Sequence, residues 1–280
     1  STAVATGWFV RGLSERRGVG WAGAEWIGLP DANDTASQFR SVANVHDLGF
    51  DRGCDVLRAM LFVSGLGGYR ASVNGRALDP TSVRASVTEW HNRTYYWADD
   101  VTSDVATSAD AAHGTVVLAV EVFKHWYGLS NNFYPKPYGA RALKAVLVLT
   151  HANGTDTYAL PTKSGELSAW RHAAGALLFD DLHVGQTVDG RLATPDWETA
   201  FATPYSANEQ TRWAVATAVS GPPGELRAHP MQHSRVLEVL GPANVSAVPR
   251  NADNVSAPTY GRSTSQIALC KRSTSEVQVC

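Results

Sequence analysis

Leu57-Arg58-Ala59-Met60-Leu61-Phe62-Val63-Ser64-Gly65-Leu66-Gly67-Gly68-Tyr69-Arg70-Ala71-Ser72-Val73-Asn74-Gly75 is the stretch that decides the fold. Ala59 to Val63 is a short, continuous apolar run, which as a strand would have to be covered on both faces. Tyr69-Arg70-Ala71-Ser72-Val73 alternates apolar and polar residues, the pattern of a half-buried strand. The glycines between them make a bend. Asn74 and Gly75 both tolerate φ > 0, so together they predict a tight hairpin turn. The reading is strand, bend, strand, turn, strand.

The same logic extends outward. Thr115 to Phe123 is apolar enough for a central strand, and Ala142 to His151 reads as another. Asn153-Gly154 marks a further hairpin turn, with Thr157 to Leu160 returning. Asn44 to Asp55 is polar, a loop or an edge, and Val101 to Ala112 holds one short helical turn or a loop. Lys124 to Tyr138 is a long loop, dense in aromatics and interrupted by Pro135, Pro137 and Gly139. Short strands punctuated by Gly, Asn and Pro, with no long 3.6-residue period, predict an all-β sandwich.

Of the 280 residues 44% are hydrophobic and 18% charged, which supports a sizeable core. The net charge is −2 and no basic stretch exceeds Glu15-Arg16-Arg17, which argues against a nucleic-acid partner. There is no apolar run of about 18 residues, so no membrane span is expected. Five Asn-x-Ser/Thr triplets, at Asn33, Asn92, Asn153, Asn244 and Asn254, point to a secreted, N-glycosylated chain, the alternative being chance triplets. Cys54, Cys270 and Cys280 are odd in number. Cys270 and Cys280 could pair, one of them could reach Cys54, or a thiol could bridge to another molecule. Their spacing does not suit zinc.

The organisation expected is a sandwich over 1–235, a linker over 236–257 and a strand-like tail over 258–280. The tail repeats itself: Gly261 to Cys270 is followed by Lys271 to Cys280, each unit carrying Arg-Ser-Thr-Ser, two aliphatics spaced two apart and a terminal cysteine. Ile267 and Leu269 share one strand face, as do Val277 and Val279. Such a segment could complete a sheet in its own molecule or add to the edge of a neighbour.

Two groups of residues are candidates for recognition. Trp126, Tyr127 and Tyr134 in the aromatic loop suit a carbohydrate, since flat rings stack on sugar C–H faces; Glu89, beside Trp90, could point a carboxylate at a ligand or be an exposed strand residue. The alternative is that these rings cap the open end of the sandwich. The nine histidines form no H-E-x-x-H pair, and there is no G-x-S-x-G elbow.

The chain resembles the amino-terminal β-sandwich region of bacterial α-L-rhamnosidases, where a similar "sGlGyYelsvNG" segment occurs. The likeness covers roughly residues 20–235. It continues through Glu25-Trp26-Ile27-Gly28, Thr88-Glu89-Trp90, Tyr95-Tyr96, Asp100-Val101-Thr102, Trp126-Tyr127-Gly128 and Asp181 to Arg191. The resemblance implies an antiparallel jelly-roll topology. It also implies a calcium site on the last segment, since related rhamnose-binding modules bridge sugar hydroxyls with Ca²⁺, a cation that takes six to eight oxygens. Asp181, Gln186 and Asp189 are the candidate ligands, although Gln186 and Val184 stand where the family has carboxylates. An Asp189–Arg191 network is the structural alternative. The family's catalytic carboxylates lie on a helical barrel that follows the β domains, so a non-catalytic glycan-binding module is expected here. A structural subunit of an extracellular filament or coat, self-assembling through residues 258–280, is the second expectation. A fragment of a larger enzyme is the third.

Overall fold

The computed structural model describes residues 12–13, 20–29, 36–52, 55–78, 84–85, 87–107, 114–129, 138–200 and 213–231, with the backbone of 244–247 and 267–270. The chain divides into two compact units, Ser1–Ser234 and Arg235–Cys280. In the first unit the strands are β1 (Ile27–Gly28), β2 (Ser37–Asn44), β3 (Arg58–Gly65), β4 (Gly68–Val73), β5 (Arg76–Ala77), β6 (Arg84–Ala85), β7 (Arg93–Asp100) and β8 (Thr115–Phe123). They continue with β9 (Ala142–Thr150), β10 (Asp156–Ala159), β11 (Arg171–Ala174), β12 (Leu177–Asp181), β13 (Gly185–Val188), β14 (Ala214–Val215), β15 (Thr217–Ala218) and β16 (Glu225–Ala228). One short helix, α1 (Thr102–Thr107), follows β7.

Two seven-stranded sheets stack to make a β-sandwich. Sheet one runs β15-β1-β9-β3-β7-β16, with β10 on β9 beside β1; sheet two runs β14-β11-β2-β8-β4-β5, with β6 on β4 beside β5. The expected strand–bend–strand is present, but its two strands belong to different sheets. β3 pairs with β7 and β9, whereas β4 pairs with β8, β5 and β6. The bend is therefore a crossover from one sheet to the other. Gly67 makes it possible: its φ is +119°, and a Cβ there would lie 2.0 Å from the Phe123 carbonyl oxygen.

Side-chain alternation does the rest. Ala59, Leu61 and Val63 of β3, Leu143, Ala145, Leu147 and Leu149 of β9, Tyr69, Ala71 and Val73 of β4, and Val116, Leu118, Val120 and Val122 of β8 meet between the sheets with Phe39 and Trp170. The other face of β3 is covered too: Met60 and Phe62 pack with Leu13, Trp21 and Tyr96. This double burial is why β3 reads as unbroken apolar sequence. At the turn after β4, Asn74 (φ 51°) and Gly75 (φ 78°) adopt the left-handed conformations expected. The Asn74 side chain also donates to the Asp104 carbonyl and accepts from the Val117 amide. The Asn44–Asp55 segment contains one 3₁₀ turn, Val45–Leu48, capped by the Asn44 side chain.

One pairing departs from the antiparallel pattern. β16 runs parallel to β7, because Gly224 and Glu225 donate to the Trp90 and Asn92 carbonyls and so start the strand beside the start of β7. In the second unit, β17 (Asn244–Ala247) and β18 (Ile267–Cys270) pair antiparallel, so the first tail repeat has an in-chain strand partner. The second repeat, with Cys280, lies outside the described residues, as do Cys54, Asn33, Asn254 and Tyr134.

Gly67→Ala is expected to lower unfolding free energy by about 3 kcal/mol, from backbone strain plus overlap with the Phe123 carbonyl. Gly154→Ala, at a hairpin tip where a Cβ meets nothing within 4 Å, should cost only about 1 kcal/mol. Urea midpoints compare the two, and equal shifts would contradict a tight crossover.

Candidate functional site

The outward face of sheet two carries an unusual row. Register sets Gln38 of β2 opposite Glu121 of β8, and Glu121 opposite Arg70 of β4. Gln38 Nε2 donates to Glu121 Oε1 at 3.1 Å and Arg70 Nη2 donates to Glu121 Oε2 at 2.7 Å. The Arg70 guanidinium also lies over the Phe123 ring, 5.5 Å from its centroid. The antiparallel hairpin β12–β13 stands beside this row. Between them opens a cleft of about 560 Å³, lined by Arg70, Glu121, Phe123, His125, Asp180 and Gln186, with Ala176, Leu177, Leu182 and Val188 as its apolar wall. That volume falls in the range of small-molecule sites.

The polar groups of the cleft are held by one another. Asp180 Oδ1 accepts from Gln186 Nε2 at 3.0 Å and its Oδ2 from the His125 amide at 3.3 Å. Burial pushes the His125 imidazole below its ordinary value, against the pull of Asp180, so it is neutral at pH 7. Nearby, burial and then the Glu121 charge raise the Glu198 carboxyl, while Arg70 and Ser72 oppose them. The turn bearing Glu198 is tied to the sheet by Arg40 Nη2, which donates to the Thr199 carbonyl at 3.0 Å. Of the residues lining the cleft, His125 has a buried ring nitrogen, Nδ1, without a hydrogen-bond partner among the described residues.

The aromatic residues expected to bind sugar divide by burial. Trp90 and Tyr127 are only 4% and 3% exposed. They pack at the end of the sandwich with Leu66 and Ala142, their rings edge-on at 5.3 Å. Neither offers a stacking face to solvent; capping the open end accounts for both. Trp126 is half-buried and meets His183, at the tip of the β12–β13 hairpin, edge-on at 5.7 Å, bringing the aromatic loop against the hairpin. Glu89 is exposed and accepts from Tyr138 Oη at 3.2 Å, with His91 Nδ1 2.8 Å from its other oxygen.

The three expected calcium ligands do not converge. Asp181 sits at the tip of the hairpin opposite Gly185, and Asp189 at its open end, bonded to Ala176. Four strand residues separate the two positions, about 13 Å at 3.3 Å per residue, whereas ligands of one calcium lie within about 5 Å of each other. Asp181 Oδ1 instead accepts from the His183 and Val184 amides. Asp189 takes two donors from the Arg191 guanidinium and a third from its amide. Gln186 is turned to Asp180. Among the described residues no group of three or more His, Cys, Asp or Glu is placed to hold a metal.

Gln38, Arg70, Glu121, His125 and Asp180 were not marked as site residues by the sequence reading. The one available signal was Glu121, the only charge within the apolar run Thr115–Phe123. Of the sequon asparagines, Asn92 and Asn153 are exposed in turns, and Asn153 Oδ1 accepts from Thr155 of its own triplet. Asn244 lies in β17, opposite Cys270.

Fold and cleft together define a β-sandwich module with a polar, partly apolar groove on one outer face. Residues 54–238, more than half of the chain, match the family described as the alpha-L-rhamnosidase N-terminal domain, and the chain belongs to that family. An alpha-L-rhamnosidase of Streptomyces avermitilis is 30% identical over 210 residues, which is 72% of this chain and 19% of the relative. One from Formosa agariphila is 21% identical over 217 residues, 75% of this chain and 20% of the relative. The chain thus spans about a fifth of the length of the curated relatives it matches. Among solved structures, the alpha-L-rhamnosidase of Dictyoglumus thermophilum superposes with a TM-score of 0.63 at 18% identity, covering 84% of this chain and 25% of that one. The Streptomyces avermitilis enzyme complexed with L-rhamnose gives 0.55 at 27% identity, over 69% of this chain and 17% of that one.

The Arg191 hydrogen bonds hold the Asp189 carboxyl at about 2, below its ordinary 3.8. Its contribution is then complete above pH 3.8 and lost as pH falls through 2. Carboxyl NMR of Arg191→Ala should show Asp189 titrating higher, short of 3.8 because the residue-191 amide still donates. An unchanged Asp189 would contradict the ion pair.

Proposed function

We propose that this domain binds carbohydrate in the cleft between sheet two and the β12–β13 hairpin, and does not cleave it. The observation that supports this best is the cleft itself: a guanidinium, two carboxylates, a neutral imidazole and an amide face a wall of Phe123, Leu177, Leu182 and Val188. A sugar presents the same mixture, hydroxyl groups around an apolar C–H face, and such sites pair a few placed polar groups with apolar surface. Membership of a rhamnosidase domain family agrees with it.

The carboxylates of the cleft are deployed for holding. Both Glu121 oxygens accept from Gln38 and Arg70, and both Asp180 oxygens from His125 and Gln186. A glycosidase instead needs one carboxylic acid able to protonate the leaving oxygen and a second carboxylate across the bond. Passage through a secretory pathway with N-glycosylation at Asn92 and Asn153 completes the reading, because both side chains are exposed.

Calorimetry against a glycan panel that includes L-rhamnose tests it. Binding is expected for the wild-type chain, weakened about tenfold or more in Asp180→Ala, which loses the group that positions His125 and Gln186, a change of about 1.4 kcal/mol. Chelator should leave the affinity unchanged, since Asp181 and Asp189 do not meet. No product should form from a nitrophenyl rhamnoside. Flat traces across the panel remove the reading, and turnover removes its non-catalytic half.

A further inference from the structure

Resting on the carbohydrate reading, the geometry points to the size of the ligand: the cleft takes a saccharide of two or more rings, the second ring held by Trp126 and His183 at the hairpin tip.

The cleft is longer than a single sugar ring needs. Contacts between its two sides follow one another in sequence order. Phe123 of β8 packs with Leu177 at the base of the hairpin. The His125 amide donates to Asp180, further along β12. Trp126 meets His183, at the tip, edge-on at 5.7 Å. A step along one wall is matched by a step along the other, so the walls run side by side from base to tip. The strand part of that course, Leu177–Asp181, spans about 13 Å at 3.3 Å per residue. Volume leads to the same conclusion. A water molecule takes about 30 Å³ of liquid, so a hexose of about twelve heavy atoms, counted as generously, fills about 360 Å³ at most. The cleft measures about 560 Å³.

Its chemistry changes along its length. At one end the Arg70 side chain, 61% exposed, is held by Glu121 at 2.7 Å. Toward the tip the exposed surface becomes apolar and aromatic, with Leu182, then His183, and Trp126 half-buried across from them. Trp126 and His183 do not line the cleft themselves. Each directly follows a residue that does, His125 and Leu182, so the pair stands where a ligand longer than one ring leaves the cleft. An indole offers a flat apolar face to sugar C–H groups and an N–H at its edge. Trp126 is also packed against the sandwich-end cluster of Leu66, Trp90, Tyr127 and Ala142, which fixes its ring before any ligand arrives. A monosaccharide seated beside Arg70 ends short of this platform, and a second ring reaches it.

Calorimetry of the full chain with matched series tests this: glucose against cellobiose, mannose against a mannobiose, L-rhamnose against a rhamnose disaccharide. In the series that binds, the disaccharide is expected to bind at least about tenfold tighter than its monosaccharide. The Trp126 indole ¹H–¹⁵N signal should shift with the disaccharide and stay in place with the monosaccharide. Trp126→Ala should bring the ratio near unity, and Trp126→Phe, which keeps a ring, should restore part of it. His183→Ala, at an exposed turn, should lower the ratio without touching the sandwich-end cluster. Equal affinities for the one-ring and two-ring members, or a ratio kept in both Trp126→Ala and His183→Ala, would overturn the two-ring cleft while the carbohydrate reading stands. Absence of binding by every sugar would overturn both.

Discussion

At Gly67 the backbone passes so close to the Phe123 carbonyl that a methyl group would sit 2.0 Å from the oxygen. That approach carries the chain from β3 in sheet one to β4 in sheet two within two residues, Leu66 and Gly67. Everything at the cleft follows. Because β4 crosses over, it lies beside β8, and antiparallel register then sets Arg70 against Glu121. β2 on the other side of β8 adds Gln38. The inward residues of the same strands, Tyr69, Val120, Val122 and Phe39, are locked in the core. A slip of one residue would exchange the two faces, burying Arg70 and Glu121 between the sheets. The core thus fixes the polar row as firmly as it fixes itself.

The hairpin β12–β13 turns this row into a cleft. Its Leu177 packs with Phe123 and Ala36, anchoring the base of the hairpin to sheet two. Asp180 then reaches the His125 amide where the chain leaves β8, a residue held at φ 43°. The outer strand, Gly185–Val188, is exposed throughout. A rigid floor and an exposed, thinly packed wall are the combination that lets a site keep its chemistry in register while admitting a ligand.

The β elements that run apolar for most of their length were legible in the chain: β3, β8, β9 and the Asn74-Gly75 turn carry their own local signals. Two things were not. Alternation tells which side of a strand is buried, but nothing in residues 57–75 says that β3 and β4 pair with different neighbours. The Gln38–Glu121 contact spans 83 positions of sequence, and such register is set by partners that no local pattern names. Aromatic chemistry alone likewise gave no sign of which rings would be buried. Trp90 and Tyr127 have the side chains a sugar site wants, yet their large apolar faces were worth more inside the sandwich end. Asp181 and Asp189, close in sequence, were drawn apart because the residues between them form an extended strand.

The central claim is that the row Gln38–Glu121–Arg70 and the hairpin beside it are where a saccharide lands. Two-dimensional ¹H–¹⁵N spectra of the isotope-labelled chain, recorded through a saccharide titration, test this most directly. Shifts should gather on the Arg70 guanidinium, the Gln38 and Gln186 side-chain amides and the His125 backbone amide. Shifts confined to His91, Trp126 and Tyr138 at the sandwich end, with the cleft signals unmoved, would contradict it.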